Sequence, residues 1–201
     1  MIKLYGSAMS TASRCMWMLE EVGQPYEMAP VSIKEGENKT PAYLALNPNG
    51  KVPTLVDGAF ILWESAAINE YLAEKYLPAL LGATIEERAL NNQWCYWASL
   101  YPSSAADAIY LQIRNGAPDP AILAKETERF NGYMVILETH LKDRTYMIGD
   151  SFQIADLHVA SVLSFATMLK ISLDAFPNTS AWMQRVVTRP ASTKVFAQMK
   201  G

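Results

Sequence analysis

The rhythm of apolar and polar positions changes once along the chain. Up to about residue 76, short apolar runs alternate with helical stretches. Ile2 to Tyr5 reads as a strand, Thr11 to Val22 as a helix stopped by Gly23, and Glu27 to Ile33 as a second strand. Val52 to Val56 and Phe60 to Trp63 flank Asp57-Gly58, a strong turn signal, and predict an antiparallel hairpin. A helix is expected from Ser65 to about Tyr76, ended by Pro78. Strand, helix, strand, crossover, hairpin and helix together make a small α/β unit.

After Leu77 the strand signals stop. Leu90, Trp94, Trp97 and Tyr101 recur at the spacing of one helical face, as do Phe130, Met134, Leu137 and Leu141. Gly116 to Pro120 supplies a break between them. From Ile154 to Leu169 the pattern is apolar on nearly every side, and a helix without a polar face belongs in the middle of a bundle. The last helix is expected to begin near Pro177-Asn178 and to end before Arg189-Pro190. The second half therefore reads as an all-α domain around one buried helix.

Composition narrows the function classes. The 201 residues are half apolar and carry a formal net charge of −3 with no long block of like charge, which argues against nucleic acid or an anionic membrane as the main partner. The N-terminus has no apolar signal core, and Asp156 and His158 interrupt the longest apolar stretch, so a cytoplasmic protein that does not span a membrane is expected. Cys15 and Cys95 are far apart and read as two free thiols rather than a staple. With only His140 and His158, and no ligand spacing, no metal site is expected.

Two places carry candidate chemistry. Asn47-Pro48-Asn49-Gly50-Lys51-Val52-Pro53 is a turn delivering a proline to an apolar strand, and Glu64-Ser65 then opens a helix. A peptide-binding edge beside an anion-binding helix terminus would suit a small peptide with a carboxylate at one end. The turn after the first strand offers four hydroxyls, Ser7, Ser10, Thr11 and Ser13, and helix capping alone would account for any one of them.

Taken together, these residues resemble the cytosolic glutathione S-transferases over essentially the whole chain. The resemblance rests on the two-part layout, the Asn47 to Pro53 turn and Glu64-Ser65. It extends to Gly149-Asp150-Ser151-Phe152 leading to Ala155-Asp156, and to Phe176-Pro177-Asn178 leading to Trp182. Tyr5-Gly6, Ser10 and Arg14, with Gly36-Glu37-Asn38-Lys39-Thr40-Pro41, are similar to the serine-type branch that includes the phi and theta groups.

The resemblance implies a thioredoxin-like domain over 1–77 and an all-helical C-terminal domain over 84–201 that contributes a hydrophobic substrate pocket. It implies glutathione as cosubstrate, a small hydrophobic electrophile as acceptor, a homodimer and no metal. It assigns Ser10 as hydrogen-bond donor to the glutathione sulfur, with Thr11 as the runner-up hydroxyl. Val52, before a cis Pro53, would pair with the cysteinyl backbone. Glu64 and Ser65 would take the γ-glutamyl end, and Lys39 and Lys51 the glycyl carboxylate. The same site could serve a glutathione-dependent peroxidase, dehalogenase or disulfide reductase, or a non-catalytic binding protein. At one position the chain departs from the family pattern: Gln153 stands where relatives carry Ser or Thr, which puts the cap of the buried helix in doubt.

Overall fold

In the computed structural model, which describes residues 1–199, the chain divides into two units, Met1–Leu81 with the segment from Thr188 on, and Gly82–Val187.

The first unit is built on four short strands, β1 (Ile2–Tyr5), β2 (Tyr26–Ala29), β3 (Thr54–Asp57) and β4 (Phe60–Trp63), ordered β2-β1-β3-β4. β1 runs parallel to β2, with Tyr5 opposite Ala29, and antiparallel to β3, with Tyr5 opposite Thr54. β3 and β4 form the expected hairpin. The parallel pair needs a crossover, and α1 (Ser13–Glu21) supplies it. α1 buries Cys15 through Leu19 as a continuous run, and α3 (Ser65–Tyr76) packs beside it with Ile68 and Leu72 fully buried. Between β2 and β3 lie a short 3-10 turn, Glu37–Lys39, and the one-turn helix α2 (Pro41–Leu44).

β2 is shorter than the expected strand over Glu27 to Ile33: it ends at Ala29, because Pro30 removes the next ladder donor. The freed residues 30–36 form a loop and turn.

The second unit is helical: α4 (Ile85–Leu100), α5 (Pro102–Arg114), α6 (Pro120–Leu141), α7 (Ile154–Met168) and α8 (Pro177–Val187). The stripe Phe130, Met134, Leu137, Leu141 on α6 is buried as its spacing predicts, and α7 is buried almost all round. On α4 the expected face is wrong by about one position. Leu90 and Tyr101 are 42% and 48% exposed, and the buried stripe is Asn91, Trp94, Cys95 and Ala98. Small residues there let α7 approach closely, and a pattern weighted toward large aromatics misses them.

The chain also carries a helix the sequence pattern did not predict. α9 (Pro190–Gln198) follows α8 and belongs to the first unit, so the expected helical domain over 84–201 loses its last segment. Phe196 meets the Trp17 ring edge-on, Arg189 makes two 2.8 Å bonds to the Glu21 carboxylate, and Lys194 reaches Glu20. Those ties to α1 decide which unit the segment joins.

The doubtful cap of α7 does form, as a box of Gln153 and Asp156 braced by a residue from another helix. Asp156 accepts from the Gln153 amide, as a capping box requires. The Gln153 side chain itself faces the Asp156 amide, and Asn91 on α4 reinforces it: its Oδ1 accepts from the Ala155 amide at 3.1 Å, and its Nδ2 donates to Gln153 Oε1 at 2.6 Å. Asp156 is fully buried, and its other oxygen accepts from the Met147 amide and the Trp182 indole N–H, both at 2.8 Å.

Candidate functional site

Three segments of the first unit meet beyond the end of β1. Gly6 adopts φ +138°, a conformation that favours glycine, and a Cβ there would strike Ala12 at 2.6 Å while lying 3.3 Å from Ser10 Oγ and 3.4 Å from Val52 Cβ. The missing side chain lets the turn before α1 and the turn before β3 close on one another.

Ser10 sits in the turn that leads into α1. Its Oγ accepts from the Ala12 and Ser7 amides, both at 3.2 Å, and its proton goes to the Ser7 carbonyl at 2.8 Å. That carbonyl also accepts from the Ser10 backbone amide at 3.0 Å. The hydroxyl can therefore turn away without leaving the Ser7 oxygen unpaired. Thr11 is committed elsewhere: its Oγ1 donates to the Val52 carbonyl at 2.8 Å.

The Val52-Pro53 bond is cis. Among the described residues nothing accepts from the Val52 amide, so that donor is free while its carbonyl is shared with Thr11. The turn holding this edge is built by buried polar groups. Asn47 Nδ2 and the Tyr43 hydroxyl both donate to the Lys51 carbonyl, at 2.8 and 2.7 Å, and Asn38 Nδ2 donates to the Gly50 carbonyl at 2.7 Å. Gly50, at φ +59°, is pressed against the Asn38 carbonyl and Lys39 Nζ, where a Cβ would lie 2.7 Å from each. Lys39 thus stands against the same turn that carries Lys51, its Nζ 3.4 Å from the Asn49 carbonyl.

Glu64 and Ser65 differ in detail from the expected cap. Glu64 holds the N-cap position of α3 at φ 73°, ψ 116°, and no side chain caps the helix. A non-glycine residue held there stores on the order of 1–3 kcal/mol of strain, a mark often found at ligand clamps. Ser65 is the first helical residue, and its Oγ faces Arg14 Nη1 at 3.4 Å rather than the helix amides. The N-terminus of a 12-residue helix is thereby left open to an anion.

A cavity of about 520 Å3 joins part of this arrangement. Ser10 and Val52 line it with Ser7, Met9 and the loop 30–34. Of the predicted residues, Lys39, Lys51, Pro53, Glu64 and Ser65 lie outside its lining. Sequence reasoning missed Met9, Val31, Ile33 and Glu37, which do line it. Glu37 closes the loop, taking the Ser32 amide on its carboxylate at 2.6 Å while its own amide donates to the Ser32 carbonyl. An apolar wall next to a hydroxyl is the kind of lining that small-molecule sites show.

The two cysteines, Cys15 and Cys95, are both buried. Cys15 is fully buried, its thiol pushed up to about 12 by that burial against a smaller opposing effect of Arg14. Among the described residues, no group of three or more His, Cys, Asp or Glu side chains is placed to hold a metal ion, and no helix is long and apolar enough to cross a membrane.

Known proteins place the chain in a family. Residues 1–74 match the family model of the glutathione S-transferase N-terminal domain, and residues 102–190 that of the C-terminal domain. The chain is 37% identical to the probable glutathione S-transferase GSTF2 of Oryza sativa subsp. japonica, over 99% of this chain and 97% of that one. Among solved structures, glutathione S-transferase I from mais in complex with an atrazine glutathione conjugate is 36% identical, with a TM-score of 0.89, covering 99% of this chain and 98% of the other. The theta class enzyme of Xanthomonas axonopodis pv. citri with glutathione bound is 32% identical, with a TM-score of 0.89 and coverage of 96% and 95%. The chain belongs to the glutathione S-transferase family, with its two-domain fold: a thioredoxin-like first domain and a helical second one.

Proposed function

We propose that this transferase activates glutathione through Ser10 and hands its sulfur to the carbon of a hydrophobic electrophile. The Val52 amide pairs with the cysteinyl backbone of the tripeptide, and cis Pro53 sets the direction of that edge. The open start of α3 and Ser65 receive the γ-glutamyl carboxylate, and Glu64 accepts from its ammonium. Lys39 and Lys51 attract the glycyl carboxylate.

The observation that carries this reading is the state of the Ser10 hydroxyl, which lines the cavity and whose proton rests on a carbonyl that already has another donor. Turned toward a sulfur, that hydroxyl donates to the thiolate while the α1 terminus adds positive potential. The thiol proton leaves to water. Lowering a thiol pKa by two units takes about 2.7 kcal/mol, within reach of one charge-assisted hydrogen bond and a helix terminus. The thiolate then forms a carbon–sulfur bond, expelling a leaving group or, on an activated double bond, leaving a carbanion that takes a proton from water. Ionising the nucleophile and orienting the two reactants are the two sources of rate.

The relative from mais that holds an atrazine glutathione conjugate supports transfer over the peroxidase, dehalogenase and reductase alternatives. The apolar side chains of Met9, Val31 and Ile33 favour a hydrophobic acceptor. Location in the cytoplasm and assembly as a homodimer rest on the family resemblance. Calorimetric titration with glutathione, followed by conjugation assays on a panel of aryl halides, enones and peroxides, tests the reading. Binding below millimolar glutathione and turnover of at least one carbon electrophile are expected, and absence of glutathione binding at millimolar levels contradicts it.

A further inference from the structure

We infer that Thr11 is a positioning residue, whose hydroxyl holds the sulfur-activating Ser10 in register with the peptide-binding edge at Val52. The inference rests on the glutathione reading above.

Ser10 and Val52 serve one ligand but belong to turns distant in sequence. Sheet pairing between their strands ends at Tyr5 opposite Thr54, and beyond that point both chains leave the ladder. The turn from Ser7 to Ala12 is otherwise held by bonds within itself: Ser10 to Ser7, Ala12 to Ser10, and Ser13 to Ser10. Among the described residues, the bond from Thr11 Oγ1 to the Val52 carbonyl at 2.8 Å is the one hydrogen bond joining that turn to residues 47–53. The absence of a side chain at Gly6 lets the two turns approach, yet apolar packing is non-directional and leaves sliding free. A directional hydrogen bond removes the sliding.

Thr11 is exposed, so water is an available partner for its hydroxyl, and the structure uses that hydroxyl on a carbonyl 41 residues away. The same bond orients the peptide unit between Val52 and Pro53. That leaves the Val52 amide on the preceding peptide unit open for the ligand. With its proton committed in this way, Thr11 is not the donor to sulfur, which assigns the sulfur to Ser10 between the two candidate hydroxyls.

The test compares Thr11→Val, isosteric and without a donor, with Thr11→Ser, which keeps the donor, each alone and in a Ser10→Ala background. Readouts are the KM for glutathione, kcat, the pH midpoint of kcat/KM, and the pKa of the bound thiol followed by its thiolate absorbance. Loss of one ordinary hydrogen bond at the site predicts that Thr11→Val raises the glutathione KM by about three- to tenfold and shifts the bound thiol's pKa upward, with melting little changed. Thr11→Ser is expected to restore both. In the Ser10→Ala background Thr11→Val leaves the thiol pKa where Ser10→Ala put it, because its effect runs through Ser10. Thr11→Ala serves as a second donor-free variant should the valine disturb folding. Wild-type KM and thiol pKa in both donor-free variants overturn the inference. So does full additivity of the Thr11→Val and Ser10→Ala shifts, which would make Thr11 a second donor to the sulfur. Failure of the underlying glutathione reading shows separately, as a wild-type chain that does not bind glutathione.

Discussion

The starts of α1 and α7 make opposite use of the same chemistry. At or just before each helix start, polar side chains take backbone amides. At α7 every element of the arrangement is committed and buried: Asp156 takes three donors, and Asn91 and Gln153 satisfy each other and the helix. Just before α1 the Ser10 hydroxyl, which takes the Ala12 and Ser7 amides, lines a cavity, and its proton rests on an acceptor that does not need it. The difference teaches that a structural polar cluster and a ligand site are separated by spare hydrogen-bonding capacity rather than by residue type. α3 falls on the side of α1, with an open terminus and a strained Glu64.

The comparison predicts its own failures. Its largest effect is at the saturated terminus. Asp156→Ala strands buried donors on Met147, Gln153 and Trp182, and is expected to cost about 3–5 kcal/mol, or a melting temperature lower by on the order of 10 °C, with the glutathione KM of the folded protein unchanged. Differential scanning calorimetry with steady-state kinetics checks this. A drop of only a degree or two would mean the network is not closed.

A smaller effect is expected from His140, at the edge of the same network. Its Nε2–H donates to the carbonyl of Met147, whose amide serves Asp156. Burial lowers the imidazole below the ordinary histidine value, the bond to Met147 opposes this, and the charge of Arg144 adds to the lowering. The native state therefore binds its proton at lower pH than the unfolded chain. Stability contributed by this histidine is complete above about pH 6.5 and is lost as pH falls from there through the folded value. Melting curves between pH 7 and 5 are expected to fall more steeply for the wild type than for His140→Gln; equal slopes would remove His140 from the network.

What the sequence revealed follows the same division. Three of the strands, the β3–β4 hairpin, α3, the apolar stripe of α6 and the buried α7 were legible because local apolar patterning and nearby breakers set each of them, while β2 ends earlier than its apolar run. α9 was not, since Arg189-Pro190 reads as a stop and the ties that hold the helix run to Trp17, Glu20 and Glu21, far earlier in the chain. Asn91 as the brace of the α7 cap was invisible for the same reason: a hydrogen bond across 64 residues leaves no local pattern. At the site, the Asn47 to Pro53 turn and Glu64-Ser65 were readable as motifs. The different partners of the Ser10 and Thr11 hydroxyl protons leave no trace in the sequence.

The central claim is that Ser10 holds the sulfur of glutathione as a thiolate. Titrating the thiolate absorbance of glutathione bound to the wild type and to Ser10→Ala tests it most directly. A wild-type midpoint about two units below that of free glutathione, returning most of the way in Ser10→Ala with glutathione still bound, is the expected result. An unchanged midpoint in Ser10→Ala would contradict it.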